Sequence, residues 1–130
     1  MKKVLIVDDE LSSSEIINFF IKKYNLPLEI IGTIDRGDLA LKKIQKLKPD
    51  LVFMDIEMPE LDGIQTIAIA KSLYPQIHFI VLTVFDDDEK IFDAIKAGAS
   101  GYLLKHENAA VLEEAMINVL QYEGAPMSPA

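Results

Sequence analysis

Four short apolar segments of this chain each lead directly into a residue that suits phosphoryl chemistry. Each segment is rich in Val, Ile, Leu or Phe and is bounded by polar residues, a pattern typical of buried parallel strands. The residues at their carboxyl ends are Asp8 with Asp9, Asp55, Thr83 and Lys105. Because ligands of open α/β sheets bind at the carboxyl ends of the strands, we expect these side chains to meet at one edge.

Strand and helix patterns alternate along the whole chain. Strands are predicted at 3–8, 28–34, 51–55, 77–83 and 101–104, and helices at 11–24, 39–47, 63–73, 88–97 and 108–122. Right-handed crossovers between parallel strands place helices on both faces of the sheet. The sequence therefore predicts a single doubly wound α/β domain over residues 1–122. The last segment, 123–130, contains two prolines and a glycine and is expected to be a linker or a disordered tail.

Composition excludes several classes of function. A formal net charge of −8 disfavours binding to nucleic acids and to anionic membranes, which require an excess of Lys and Arg. The absence of cysteine excludes disulfides, thiolate catalysis and cysteine-ligated zinc. No apolar segment approaches the ~20 residues that span a bilayer. We expect a cytoplasmic location and no contact with a membrane.

The residue types at the strand ends suit phosphoryl transfer to a carboxylate. Asp8, Asp9 and Asp55 offer the hard oxygen ligands that Mg²⁺ prefers. With the charge of the acids neutralised, Asp55 could act as a nucleophile and form an aspartyl phosphate. Lys105 and the hydroxyl of Thr83 could then contact the phosphoryl oxygens. Taken singly, each residue has an ordinary explanation, such as a turn-forming Asp, a strand Thr or a solvated Lys, but the combination favours a site.

The set Asp8-Asp9, Asp55, Met58-Pro59 with Asp62-Gly63, Thr83 and Lys105 resembles the receiver domain of bacterial two-component response regulators. The resemblance covers about residues 2–122. It implies a flavodoxin-like sheet of five parallel strands in the order 2-1-3-4-5, flanked by five helices.

The resemblance also implies a role for each site residue. Asp55 would accept a phosphoryl group from a phosphohistidine of a sensor histidine kinase, and Thr83 and Tyr102 would form the switch pair. Asp9, Asp55 and the backbone carbonyl of Glu57 would bind Mg²⁺ directly, and Asp8 would contribute to the metal site through water. Such a domain is not an enzyme with turnover, since it catalyses its own phosphorylation and a slow autodephosphorylation.

The segment 96–105 and the tail 124–129 are similar to the NarL/LuxR-type branch of this family. Members of that branch continue into a helix-turn-helix DNA-binding domain, which we expect to follow in a longer protein and to lie outside this chain. The resemblance therefore implies control of transcription, without direct nucleic-acid binding by these residues. It also allows a phosphorylation-dependent homodimer, commonly formed in the family through the fourth helix, fifth strand and fifth helix.

The chain departs from the family pattern at two positions. His106 stands where many members have proline after the lysine, and we expect a trans Lys105–His106 peptide because a cis bond without proline costs ~3 kcal/mol. Val84 stands where a small residue is usual. Together with Phe85 and Glu57, we expect Val84 to tune access of water and small phosphoryl donors to the site.

Two other classes of protein stay open. A haloacid dehalogenase-like phosphatase also brings acids, a Thr or Ser and a Lys to sheet ends, but its aspartate nucleophile follows the first strand, where this chain has Asp8. A flavodoxin-like redox protein is disfavoured, because the first loop lacks a phosphate-binding cluster of Ser, Thr and Gly.

Overall fold

The computed structural model describes residues 1–58, 62–84 and 88–105, together with Ala110, Glu114 and Ile117. The strands are β1 (Lys2–Val7), β2 (Leu28–Ile34), β3 (Leu51–Asp55), β4 (His78–Thr83) and β5 (Gly101–Leu104). The helices are α1 (Leu11–Lys23), α2 (Ala40–Leu47), α3 (Gly63–Leu73) and α4 (Asp88–Ala97), and a single 3-10 turn, Gly37–Leu39, precedes α2.

All strands pair in parallel in the order β2-β1-β3-β4-β5, which confirms the predicted topology. The strand bounds agree with the sequence patterns to within one residue, since β1 ends at Val7 and β4 begins at His78. The structure gives four of the five predicted α-helices. The fifth, 108–122, lies outside the described residues except for three helical positions, and the tail 123–130 lies outside them entirely.

Apolar residues of the central strands pack on both faces of the sheet. On one face, Ile6 and Phe53 pack with Phe20 of α1. On the other face, Leu5 and Met54 join a cluster that includes residues of α2, α3 and α4. Because both faces are covered, the strand sequences are continuously apolar rather than alternating, as expected for a buried parallel sheet. Among the described residues, no helix is long and apolar enough to cross a membrane.

The start of α3 lies against Ile56, the residue that follows β3. Asp62 caps this helix by accepting a hydrogen bond from the N–H of Gln65 at 3.0 Å. At Gly63 a Cβ atom would lie 2.7 Å from the Cα of Ile56, so a side chain there would displace the backbone. Glycine at this position therefore lets the chain fold back tightly behind Asp55.

The end of α4 returns the chain to the sheet through a Schellman motif. Gly98 has a φ of +122° and donates to the carbonyl of Ile95, while the N–H of Ala99 bonds to the carbonyl of Ala94. The short strand β5 follows and delivers Lys105 to the carboxyl edge.

Candidate functional site

Three carboxylates gather where β1 and β3 end. The register that pairs Val7 with Met54 sets Asp8 beside Asp55 in the neighbouring strand. Ligand oxygens of Asp8, Asp9 and Asp55 all lie within 4.8 Å of one another. Asp8 and Asp55 are buried, whereas Asp9 is exposed. Unpaired carboxylates at this spacing repel one another, so the site needs positive charge.

Lys105 supplies a positive charge from the end of β5. Its backbone N–H donates to the carbonyl of Thr83 at 2.7 Å, which fixes the chain beside β4. Its side chain is 8% exposed, and Nζ lies 2.9 Å from Asp8 Oδ2, 3.3 Å from Asp55 Oδ2 and 3.3 Å from Glu10 Oε1. One ammonium therefore bridges the two buried acids, as the strand-end prediction requires.

The two buried carboxylates are oriented by the same type of hydrogen bond to the backbone. The N–H of Glu10 donates to Oδ1 of Asp8 at 2.9 Å, and the N–H of Glu57 donates to Oδ1 of Asp55 at 2.8 Å. In each case an Asp bonds to the backbone two residues later, a turn that Asp forms readily. At Asp55 the second oxygen, Oδ2, accepts from Lys105 Nζ at 3.3 Å, whereas at Asp8 Nζ donates to Oδ1 at 3.0 Å and also lies beside Oδ2.

Asp8 and Asp55 differ in the direction of their pKa shifts. Burial raises the pKa of Asp8, but hydrogen bonds from Ser13, the Glu10 N–H and Lys105, with the charge of Lys105, outweigh it and leave the pKa below its usual value. Burial also raises the pKa of Asp55, and the favourable contacts with Glu57 and Lys105 do not offset it. Asp55 is thus the more basic of the two carboxylates.

The pKa of Lys105 is raised above its usual value. Burial acts to lower it, but the hydrogen bond to Asp8 and the charges of Asp55 and Asp8 outweigh burial. The side chain therefore stays a cation across the physiological range. A permanent charge at this position compensates the two buried carboxylates.

The donor set suits a hard divalent cation. Oδ2 of Asp8 is buried and accepts no well-aligned hydrogen bond in the part of the chain that the structure describes, and its 2.9 Å contact with Lys105 is an ion pair. The other carboxylates of the cluster lie within 4.8 Å. Carboxylate oxygens in this number, with one side open to water at Asp9, fit the coordination that Mg²⁺ prefers.

The remaining predicted site residues take different places. Thr83 is 1% exposed at the end of β4, on the same edge as Asp55. Tyr102 in β5 and Val84 after β4 are each 40% exposed. Phe85 lies outside the described residues, as does the Lys105–His106 peptide bond whose trans geometry the sequence predicts.

Comparison with known proteins decides the family. The model of the response regulator receiver domain matches residues 4–117. The chain belongs to this family.

Relatives of the receiver domain include transcriptional regulators. The uncharacterized transcriptional regulatory protein YhcZ of Bacillus subtilis is 41% identical over 103 residues, which are 79% of this chain and 48% of YhcZ. The chain spans about half the length of such regulators.

Solved receiver structures share the fold. The receiver domain of AraT, a response regulator from Geobacillus stearothermophilus, has 31% identity and a TM-score of 0.75, covering 95% of this chain and 98% of its own. A DNA-binding response regulator of the LuxR family from Staphylococcus aureus has 26% identity and a TM-score of 0.75, covering 92% and 98% of the two chains.

Two features of this receiver domain were missed by sequence reasoning. Ser13, in the first turn of α1, is buried and bonds to Asp8. Glu57 pairs through its side chain with Lys90 of α4, 33 residues away. A serine run at a helix start carries no sign of burial, and no local pattern links two charges so far apart in the chain.

Proposed function

We propose that this receiver domain is a phosphorylation-dependent switch that accepts a phosphoryl group on Asp55 from a sensor histidine kinase in a Mg²⁺-dependent reaction. The main support is the environment of Asp55. Its Oδ1 is held by the Glu57 N–H, its Oδ2 lies 3.3 Å from Lys105, and two further carboxylates lie within 4.8 Å. This arrangement gives a nucleophile a fixed orientation beside a cation.

The proposed step forms an O–P bond and breaks the bond between phosphorus and its donor. A carboxylate oxygen of Asp55 attacks the phosphorus of a phosphohistidine, and the electron pair of the P–N bond leaves with the imidazole. Burial raises the pKa of Asp55, so the deprotonated carboxylate is a stronger nucleophile than an exposed one. Positioning and charge neutralisation supply most of the catalysis in such transfers.

Four groups would hold the metal and neutralise the phosphoryl group. The proposed direct ligands of Mg²⁺ are Asp9, Asp55 and the carbonyl of Glu57, with Asp8 contributing through water, and the bound ion would neutralise charge on the phosphoryl oxygens. Lys105, already an ion-pair partner of Asp55, would transfer its contact to a phosphoryl oxygen.

Thr83 and Tyr102 are the proposed switch pair. The hydroxyl of Thr83, buried at the same sheet edge, would bond to the phosphoryl group. The ring of Tyr102 is 40% exposed and would turn inward as Thr83 moves. A local change of charge would in this way alter a surface on β5 and α4, where an output domain or a second copy can bind.

The domain acts once per phosphoryl group and then loses it slowly by autodephosphorylation. Val84, Phe85 and Glu57 are the proposed residues that tune access to the acyl phosphate. Val84 is 40% exposed directly after Thr83, where a branched side chain restricts approach. Val84→Ala should therefore speed acceptance or loss of the phosphoryl group, and unchanged rates for both would contradict this role.

The proposed output is transcription. Transcriptional regulators match this chain over about half of their length, which leaves room for a helix-turn-helix DNA-binding domain in the full protein. A cytoplasmic location, the residue range 1–122 for the receiver domain and phosphorylation-dependent homodimerisation belong to the same proposal. None of these roles requires nucleic-acid binding by the acidic receiver domain itself.

Intact mass after incubation with acetyl phosphate and Mg²⁺ tests the proposal. We expect wild type to gain one phosphoryl group, and Asp55→Asn to gain none. Asp50→Asn, a control at the opposite sheet edge, should be labelled like wild type. Labelling that persists in Asp55→Asn would contradict the assignment of the acceptor.

The phosphatase alternative makes a different prediction for the same proteins. Turnover of a phosphate monoester that depends on Asp8 and survives in Asp55→Asn would favour a haloacid dehalogenase-like hydrolase. If wild type is not labelled, titration with beryllofluoride distinguishes a receiver that demands its own kinase, which binds this phosphoryl mimic, from a fold that has lost the switch, which does not.

A further inference from the structure

An ion pair connects the loop behind the proposed acceptor to the start of α4. Nζ of Lys90 lies 3.0 Å from Oε1 of Glu57. Glu57 follows Asp55 by two residues, and its N–H holds Oδ1 of Asp55 at 2.8 Å. The pair therefore fixes a side chain whose backbone is part of the site.

The charges around Asp55 explain why neutralisation of Glu57 by Lys90 matters. Asp8, Asp9 and Asp55 already place negative charge at the sheet edge, and Lys105 is the ammonium that contacts both buried acids. The carboxylate of Glu57 adds another negative charge in the adjacent loop. A phosphoryl donor is itself an anion, so an unneutralised Glu57 would repel it.

The pair contributes little to folding. The side chains of Lys90 and Glu57 are 47% and 27% exposed, and ion pairs so open to water are weak because solvent screens them and ordering them costs side-chain entropy. Its position beside an anionic reaction centre gives it more effect on the approach of charged reactants than on stability.

We propose that Lys90 is a positioning residue for phosphoryl acceptance: it holds the Glu57 carboxylate away from Asp55 and neutralises it, which lowers the repulsion that an anionic phosphoryl donor meets. This proposal rests on the proposed function of Asp55. It assigns to α4 a direct influence on the rate of phosphorylation, in addition to any part that the helix has in the output surface.

A double-mutant cycle on labelling rates tests the proposal. Intact mass is followed over time with acetyl phosphate and Mg²⁺ for wild type, Lys90→Met, Glu57→Gln and the double variant. We expect Lys90→Met to slow labelling by about two- to fivefold, the range that a half-exposed charge pair supports. In the Glu57→Gln background the same substitution should have little effect, because no carboxylate remains to be released.

The charge of the donor gives a second readout, which a purely structural role would not change. The slowing should be smaller with phosphoramidate, which is less negatively charged than acetyl phosphate. The matched control is Lys96→Met, which removes the same charge from the last turn of α4, where the side chain lies over Phe92. Lys96→Met should be labelled at the wild-type rate.

Three results would overturn the role of Lys90. The first is a wild-type labelling rate in Lys90→Met. The second is equal slowing of labelling by Lys90→Met and Lys96→Met. The third is equal slowing by Lys90→Met in the wild-type and Glu57→Gln backgrounds. In each case the proteins are still labelled, and loss of labelling in Asp55→Asn still identifies Asp55 as the acceptor. Absence of labelling and of beryllofluoride binding in wild type would instead overturn the proposed function and this proposal together.

Discussion

The amino and carboxyl edges of the sheet hold their polar residues in different ways. At the amino edge, Asp50 precedes β3 and is exposed. It accepts a 2.7 Å hydrogen bond from the N–H of Lys3 and returns one to the same residue's carbonyl, while its own carbonyl accepts from the N–H of His78. These bonds join the starts of three strands through backbone groups and the carboxylate of Asp50.

At the carboxyl edge the acids are buried and share one cation. Asp8 and Asp55 are 2% and 4% exposed, and both lie against Lys105. Buried charges of one sign cost free energy unless they are compensated. The comparison shows that the amino edge is bonded for stability, whereas the carboxyl edge keeps a charge arrangement that an added cation would relieve.

The largest expected effect comes from removing the shared cation. Lys105→Met leaves two buried carboxylates without their ammonium, and we expect the free energy of unfolding at neutral pH to fall by about 3 kcal/mol. Urea denaturation followed by circular dichroism, in EDTA, measures the change. Lys3→Met, an exposed lysine at the amino edge, should change stability by no more than about 0.5 kcal/mol. Equal effects at both edges would contradict the comparison.

The architecture was predictable because it depends on local pattern. The apolar segment 51–55 and the helix pattern 63–73 match β3 and α3 as the structure has them. Strand-end residues converge once parallel topology is assumed, so the grouping of Asp8, Asp55 and Lys105 followed from the order of elements.

Details of the site depend on three-dimensional packing and were not predictable. The pKa shifts are opposite because hydrogen bonds from Ser13, the Glu10 N–H and Lys105 outweigh burial at Asp8. At Asp55, contacts with the Glu57 N–H and Lys105 do not offset burial and the charge of Asp8. A one-residue register shift between Val4 and Leu5, where β1 pairs with β2, also has no counterpart in the apolar pattern. Such features are set by contacts between residues distant in sequence.

An intermediate effect concerns the metal. Asp9→Ala removes an exposed carboxylate of the cluster, and we expect Mg²⁺ affinity to fall by about tenfold or more, the scale at which loss of a supporting group acts at metal sites. Calorimetric titration is suitable because the chain has no tryptophan to report binding. Asp50→Ala makes the same change of charge at the amino edge and should leave the affinity unchanged. An unaltered titration for Asp9→Ala would exclude it as a ligand.

The smallest expected effect is a difference between the two buried acids in how each one's ionisation affects stability as the pH changes. An acid whose folded pKa lies above its ordinary value of 3.8 destabilises the fold when ionised, so Asp55→Asn should raise the metal-free stability at neutral pH by about 1 kcal/mol. That gain should disappear as the pH falls through the raised pKa of Asp55 toward 3.8, because protonation then removes the same charge from wild type.

Asp8 provides the matched comparison because the shift of its pKa has the opposite sign. Its lowered pKa means that the ionised form stabilises the fold above pH 3.8 and that this contribution is lost as the pH falls through the folded value. Asp8→Asn should therefore lower stability at neutral pH, and the loss should shrink in acid. Unfolding free energies from pH 3 to pH 8 in EDTA measure both. Shifts of the same sign in the two variants would mean that Lys105 neutralises both carboxylates equally, and the distinction between a supporting acid and a reactive one would then have to come from the bound metal.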